Sequence, residues 1–471
     1  MKKWYEKSVF YHLYPLGATG APGFNSGETV SRFDQLNGWI PYLRGMGFNA
    51  LYIGPLFEST SHGYDTRDFR QVDRRLGSNE EFRQFVDACH EAGIRVVIDA
   101  VFNHTGREFW AFRDIQEKKW DSPYKDWYRG VSFHSGSPMG DPFCYDAWQG
   151  HFGLPCLNLK NPEVTRYILE TVRFWVEQFG IDGLRLDCAN VLDFDFMKEL
   201  RSFCSTVKED FWLMGEVIHG EYSRWVNGEM LHSVTNYALH KALYSAHNDR
   251  NYFEIAHTIR RMPQNGVELY TFTDNHDEDR LSSKLADPAK LGLVYTLLYT
   301  LPGIPSVYYG SEWGTKGKRS STSDAALRPA ISPEDAGKQA NQLTALIRRL
   351  NAIHSKNPEF AAGLYQELYL TNRQYAFARY GQDSIAVVAA NCDDGPCTVT
   401  VPLPISSRRA KNLLTGEEIN LSEDTITVEI DANSAVILKV WDSLMEAGAP
   451  LDEEDMEPEQ LKELLGEHWE E

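Results

Sequence analysis

Basic residues are scarce: 47 Lys and Arg stand against 67 Asp and Glu, a formal charge of −20 over 471 residues. That shortage excludes nucleic acid and anionic membrane surfaces as partners, because both are held by basic patches. Its ordinary consequence is solubility. Long apolar runs are missing too, and no stretch reaches the roughly 18 residues that a membrane span needs. Met1-Lys2-Lys3 carries the charge of a secretory leader, but Trp4-Tyr5-Glu6-Lys7-Ser8 interrupts any apolar segment behind it. Seven cysteines form no Cys-x-x-Cys pair. An odd, scattered set suits reduced thiols, and a cytoplasmic location is the expectation.

What the chain does have is a repeated pattern of apolar runs that end in charge. It reads Val96-Val97-Ile98-Asp99, Gly183-Leu184-Arg185-Leu186-Asp187, Trp212-Leu213-Met214-Gly215-Glu216 and Tyr270-Thr271-Phe272-Thr273-Asp274-Asn275-His276-Asp277. Charge at the end of a buried strand is unfavourable unless it is paired or used. The repetition therefore points to one shared pocket holding Asp187, Glu216 and Asp277. Two carboxylates flanking a bond are the equipment of glycoside hydrolysis. Aromatics make up 13% of the chain; core packing accounts for most of them, and such rings also pack against the apolar faces of sugars.

Candidate strands at 9–14, 50–53, 95–102, 183–187, 211–217, 233–237, 269–273 and 304–309 alternate with helical patterns such as 79–92 and 162–179. Eight such units predict an α/β fold, a closed (β/α)8 TIM barrel with its site at the carboxyl ends of the strands. Between 104 and 162 the chain has no long helical period and reads as a subdomain inserted after strand 3. Beyond a helix expected over 333–354, short strands at 375–379, 384–390, 398–401, 425–430 and 435–440 predict a C-terminal antiparallel β-sandwich. The expected organisation is a barrel over 1–104 and 159–356, the inserted subdomain over 105–158, the sandwich over 357–441 and an acidic tail over 442–471.

Four motifs then carry a family resemblance. Asp99-Ala100-Val101-Phe102-Asn103-His104, Gly183 to Asp187, Gly215-Glu216 and Phe272 to Asp277 follow one another at the ends of successive strands. With Ser61-His62-Gly63-Tyr64-Asp65-Thr66 and Asp324-Ala325-Ala326-Leu327-Arg328 beside them, the sequence resembles the α-amylase family of retaining glycoside hydrolases. It is most similar to the neopullulanase, cyclomaltodextrinase and maltogenic amylase branch. The resemblance implies Asp187 as nucleophile, Glu216 as acid/base and Asp277 as a third carboxylate that grips sugar hydroxyls. It implies substrate contacts from Tyr64, Asp65, His104, Arg185, Asn190, His276, Asp324 and Arg328, with Asp99 and Asn103 in support.

The activity implied is hydrolysis of α-1,4-glucosidic bonds in maltooligosaccharides, with cyclodextrins and pullulan as further candidates, through a covalent glycosyl-enzyme. The carboxyls of Asp187 and Glu216 should stand about 5–5.5 Å apart, the retaining separation. An exo-α-glucosidase or a 4-α-glucanotransferase of the same family would use the same residues. A non-catalytic sugar-binding relative is disfavoured, because such proteins typically lose a carboxylate and this chain keeps all three.

Carboxylate chemistry requires no cofactor. Asn103 matches a position that binds structural calcium in many members, yet the family's Asp-rich calcium loop has no counterpart around 17–26, so a structural calcium is left open without support. Three departures from the branch stand out. Val191 follows Asn190 where relatives carry Glu; Leu16-Gly17-Ala18-Thr19 replaces an acidic, Arg-containing turn; and the barrel is expected to begin almost at once, with no counterpart of the branch's N-terminal starch-binding-like domain expected before it. That domain often makes the dimer in relatives, so the oligomeric state is left open.

Overall fold

A computed structural model describes residues 3–262, 269–381, 384–403, 407, 409–421 and 424–441. The acidic tail expected over 442–471 lies outside the described residues. Eight parallel strands form one sheet: β1 (Phe10–Leu13), β2 (Ala50–Ile53), β3 (Arg95–Ala100), β4 (Gly183–Leu186), β5 (Trp212–Gly215), β6 (Ser233–Val234), β7 (Tyr270–Phe272) and β8 (Ile304–Tyr308). Their spatial order is β6-β5-β4-β3-β2-β1-β8-β7. A parallel bridge between Thr235 and Tyr270 joins the two ends, with Asn236 N donating to Tyr270 O at 2.8 Å. That bridge closes the barrel.

Alternation along each strand sorts the side chains. Phe10, Ala50, Tyr52, Val97, Trp212, Met214, Tyr270, Phe272 and Ile304 pack with one another in one buried cluster. Their neighbours Tyr11, Leu51, Val96, Ile98, Leu184 and Leu213 belong to the larger core shared with the helices. The same period of two carries Val97 on to Asp99, Gly183 on to Arg185 and Asp187, and Met214 on to Glu216. Polar chemistry thus begins where the apolar filling of the barrel stops.

Helix ends follow local chemistry. Ser78 caps the helix Asn79–Glu91 in a box with Glu81, and Asn161 caps Pro162–Phe179, which has Pro at its first position. The single helix expected over 333–354 is instead broken: a 3₁₀ turn Pro333–Asp335 and a short helix Ala336–Gln339 precede Gln342–Lys356. Asn341 is extended, and its side chain accepts from Leu343 N and Thr344 N, so a new helix starts there. Within 104–162, where no long helical period is visible, the structure holds one nine-residue helix, Trp110–Lys118, and a hairpin of Ala147–Trp148 with His151–Pro155. Buried Asp141 ties this segment together, accepting from Arg107, Gln116, Ser137 and Tyr145.

The C-terminal strands are β9 (Leu364–Leu370), β10 (Gln374–Tyr380), β11 (Ser384–Asn391), β12 (Cys397–Pro402), β13 (Arg409–Asn412), β14 (Glu418–Asn420), β15 (Thr425–Ile430) and β16 (Ser434–Trp441). One antiparallel sheet runs β9-β10-β11-β16-β13-β14, and β12 pairs with β15 in a second. The central strands are apolar on both faces. Ala376, Ala378, Val387, Ala389, Leu438 and Val440 face the core shared with β12 and β15, whereas Tyr375, Phe377, Val388, Ala390 and Ile437 join the core of the barrel. Helix Leu291–Thr300 packs against β11 and β16 and is buried from Leu293 through Thr300.

Candidate active site

The carboxyl ends of β3, β4 and β5 bring four ionisable side chains into contact. Arg185 Nη1 donates to Asp99 Oδ1 at 2.8 Å and to Asp187 Oδ1 at 2.7 Å, while Nη2 lies 2.9 Å from Glu216 Oε1. Asp187 and Glu216 each present a carboxylate oxygen within 4.8 Å of the other. The guanidinium already supplies positive charge to this trio. Asp99 takes two further donors on Oδ2, Tyr52 Oη and Tyr64 Oη, each at 2.9 Å. Its carboxylate is thus held by three side chains and braces the site from below. Gly54 makes room for it, since a Cβ there would fall 2.5 Å from Asp99 Cβ.

Burial dominates the electrostatics. It pushes Asp187 up to about 6 and Glu216 up to about 7 against the pull of Arg185, with Asp99 adding to the rise of Asp187 and Asp187 and Asp277 adding to that of Glu216. Both directions favour one proton on the pair, with Glu216 as its holder. Asp277 behaves oppositely. Burial works to raise it, but His276, with Nε2 at 3.0 Å, and Arg328, with Nη2 at 2.9 Å, hold it well below the usual carboxylate range.

The loop after β7 builds the facing wall. His276 Nε2 also stands 2.6 Å from Tyr64 Oη, and its ring lies nearly parallel to both Tyr64 and Tyr14. Arg328 Nε donates to His276 O at 3.0 Å and Nη2 reaches Asp324 at 3.3 Å. Arg319 adds a second contact to Asp324 at 2.9 Å. His104 is buried with Nε2 unpartnered; burial lowers this imidazole to about 3, so it is neutral. Asn103 lies against its Nδ1 at 3.1 Å. Asn190 is exposed on the rim, its N–H donating to Glu216 O at 3.3 Å.

Asp65 takes a different place from the one expected. Its carboxylate accepts from Ser61 N at 3.0 Å and Ser61 Oγ at 2.6 Å, so it folds the loop that carries Tyr64 instead of reaching the cleft. Four residues escaped the sequence reading: Tyr52, Tyr14, His12 and Cys188. His12 stacks on Tyr52 at 4.1 Å with Nε2 buried and unpartnered. A histidine inside the apolar run of the first strand was the available signal. Residues 17–26 contain no carboxylate, and the Asn103 amide nitrogen lies against His104 Nδ1.

Residues 33–358 match the family described as Alpha amylase, catalytic domain. Neopullulanase 2 of Thermoactinomyces vulgaris is 31% identical over 464 residues, covering 93% of this chain and 78% of that protein. Cyclomaltodextrinase of Thermoanaerobacter pseudethanolicus is 33% identical over 387 residues, 79% of this chain and 64% of its own length. Among solved structures, the ligand-free cyclic α-maltosyl-(1→6)-maltose hydrolase from Arthrobacter globiformis superposes with a TM-score of 0.78 at 26% identity, covering 93% of this chain and 99% of that one. With the catalytic domain matched from the first barrel helices to the last, and relatives aligned along nearly the whole chain, this protein belongs to the α-amylase family of glycoside hydrolases.

Proposed function

We propose that the protein hydrolyses α-1,4-glucosidic bonds of maltooligosaccharides with retention of configuration, and that cyclodextrins and pullulan are further substrates. The observation that carries this reading is the short separation of the Asp187 and Glu216 carboxylates, within 4.8 Å between oxygens, which matches the retaining arrangement. The names of the relatives, a neopullulanase and a cyclomaltodextrinase, support the substrate class.

In the proposed first step an Asp187 oxygen attacks the anomeric carbon. The glycosidic bond breaks as its electron pair goes to the leaving oxygen, which takes the Glu216 proton. In the second step Glu216, now ionised, accepts a proton from water as that water attacks the same carbon and releases Asp187. The burial that raises Glu216 keeps the acid loaded near neutrality. Asp277, held ionised by His276 and Arg328, would grip hydroxyls of the same sugar while its ring flattens. His104 and His276 would donate to that sugar and Tyr64 would stack on it. The two carboxyls account for every proton moved.

A cytoplasmic address belongs to the same proposal and rests on the cysteines, all seven of which are free thiols. The test of function is proton NMR of fresh product from maltotriose: the α-anomer should form first, and initial β-anomer would remove Asp187 as nucleophile. A product profile across maltose, maltotriose, cyclodextrins, pullulan and starch separates hydrolysis from glucanotransfer and from exo-action.

A further inference from the structure

Cys188 follows Asp187 and touches both carboxyls. Its Sγ lies 3.1 Å from Asp187 Oδ2, and its backbone N donates to Glu216 Oε2 at 2.9 Å. The second contact depends on an unusual backbone. Cys188 has φ 51° and ψ 37°, a left-handed conformation that side chains other than Gly, Asn and Asp seldom adopt. The turn is held there by close packing on β5, where a Cβ at Gly215 would fall 2.7 Å from Ala189 Cβ.

We propose that Cys188 is a positioning residue: its thiol is the second donor to the Asp187 carboxylate, on the oxygen that Arg185 leaves free, and its backbone N–H anchors the Glu216 carboxyl. The inference rests on the roles proposed above for those two carboxyls. Arg185 Nη1 occupies Oδ1 of Asp187, so Oδ2 is the oxygen left to attack. A thiol is a weak donor. It can steady a carboxylate in the free enzyme and release it when Oδ2 bonds to carbon, whereas a hydroxyl would hold the ground state more tightly. The thiol keeps its proton, because burial and the neighbouring Asp187 and Glu216 all push it far above its ordinary value.

The other groups facing the pair are Arg185 from β4 itself, Asp99 from β3, Asp277 from the loop after β7, and Tyr64 and Tyr237. The three charged ones, Arg185, Asp99 and Asp277, change the net charge of the site when replaced. Cys188 is a neutral donor that can be exchanged without doing so.

The experiment is the pH profile of kcat/KM on maltotriose for wild type, Cys188→Ala and Cys188→Ser. Loss of a donor to the charged form should move the acid limb up by about half a pH unit in C188A. A stronger donor should move it down by about half a unit in C188S and lower kcat several-fold. The alkaline limb should stay in place in both, because the backbone N–H to Glu216 remains. Limbs that move together, or acid limbs that move the same way in both variants, would reduce Cys188 to packing and overturn the proposal. If C188A fails to fold, C188S, which changes one atom, still decides the direction. Trapping wild-type enzyme with 5-fluoro-α-glucosyl fluoride and mapping the labelled peptide keeps the two readings apart. A label away from Asp187 overturns the proposed roles, whereas a label on Asp187 with an unmoved acid limb overturns only the part given to Cys188.

Discussion

Arg185 reaches Glu216 through Nη2 at 2.9 Å while its other terminal nitrogen holds Asp187. One planar cation thereby fixes the relative placement of two carboxyls that lie on different strands. A lysine has one nitrogen and no fork, so it cannot keep both contacts in this geometry. Arg185→Lys should fold and lose about two to three orders of magnitude in kcat/KM on maltotriose. A loss below tenfold, measured alongside unchanged circular dichroism, would deny the guanidinium that placing role.

The two carboxyls should also separate by substrate. Asp187→Asn should abolish turnover of every substrate, because no ester can form. Glu216→Gln should be nearly as damaging on maltooligosaccharides yet much milder on aryl α-glucosides, whose leaving groups need little protonation. Equal losses on both classes would count against Glu216 as the acid.

Acidity follows from the same contacts. Activity requires Asp187 ionised, so it rises as pH climbs through the Asp187 value near 6; it requires Glu216 protonated, so it falls as pH passes the Glu216 value near 7. The kcat/KM profile should be a narrow bell centred between those limbs, reported as values of the coupled pair. A broad plateau that extends well above pH 8 would be incompatible with an acid of this kind.

Val191 stands 48% exposed on the rim, next to the Asn190 whose N–H meets the Glu216 carbonyl. It therefore does not pack behind the loop. An apolar side chain there leaves acceptor hydroxyls unsatisfied, where a Glu would bind them. Val191→Glu should raise the ratio of transfer to hydrolysis at high maltose. An unchanged ratio in a folded variant would show that acceptors do not reach this position.

At the opposite end of the barrel, Asp182 is buried and accepts from His90 Nε2, Arg95 Nη1, Lys208 Nζ and Val96 N at 2.7 to 2.9 Å. Burial opposes its charge, but His90, Lys208 and the Val96 amide outweigh it and hold the carboxyl well below the usual range. A depressed folded value means stability that is present above the unfolded carboxylate value and lost as pH falls through the folded one. Asp182→Asn should lower stability by about 3 kcal/mol at pH 7, and the gap from wild type should narrow below about pH 4. Denaturant unfolding at both pH values measures it.

The chain's legibility was uneven for physical reasons. All eight barrel strands could be read because burial on both faces leaves near-continuous apolar runs, and because the residues beyond them were too costly to bury idly. β13 could not, since Arg409-Ala410-Lys411-Asn412 offers one apolar side chain to the core. The helix break at Asn341 was hidden inside a convincing apolar period. Asp65 illustrates the limit of motif transfer, because a carboxylate beside Tyr64 can as well fold its own loop as bind sugar. Cys188 is hidden for a different reason: a thiol after an acidic residue does not announce itself, and only the assembled barrel shows that it touches both carboxyls.

Helix Leu291–Thr300 has no outward polar face, because the barrel lies on one side and β11 and β16 cover the other. Modular exchange is therefore closed to this molecule in its simplest form. A shuffled gene that joins this barrel to a relative's β-sandwich would have to bring the matching side of that helix along with it, or leave a greasy seam that recruits whatever chain comes near. Breeding new specificities from this scaffold is better done in the loops above the strands than at the junction of its halves.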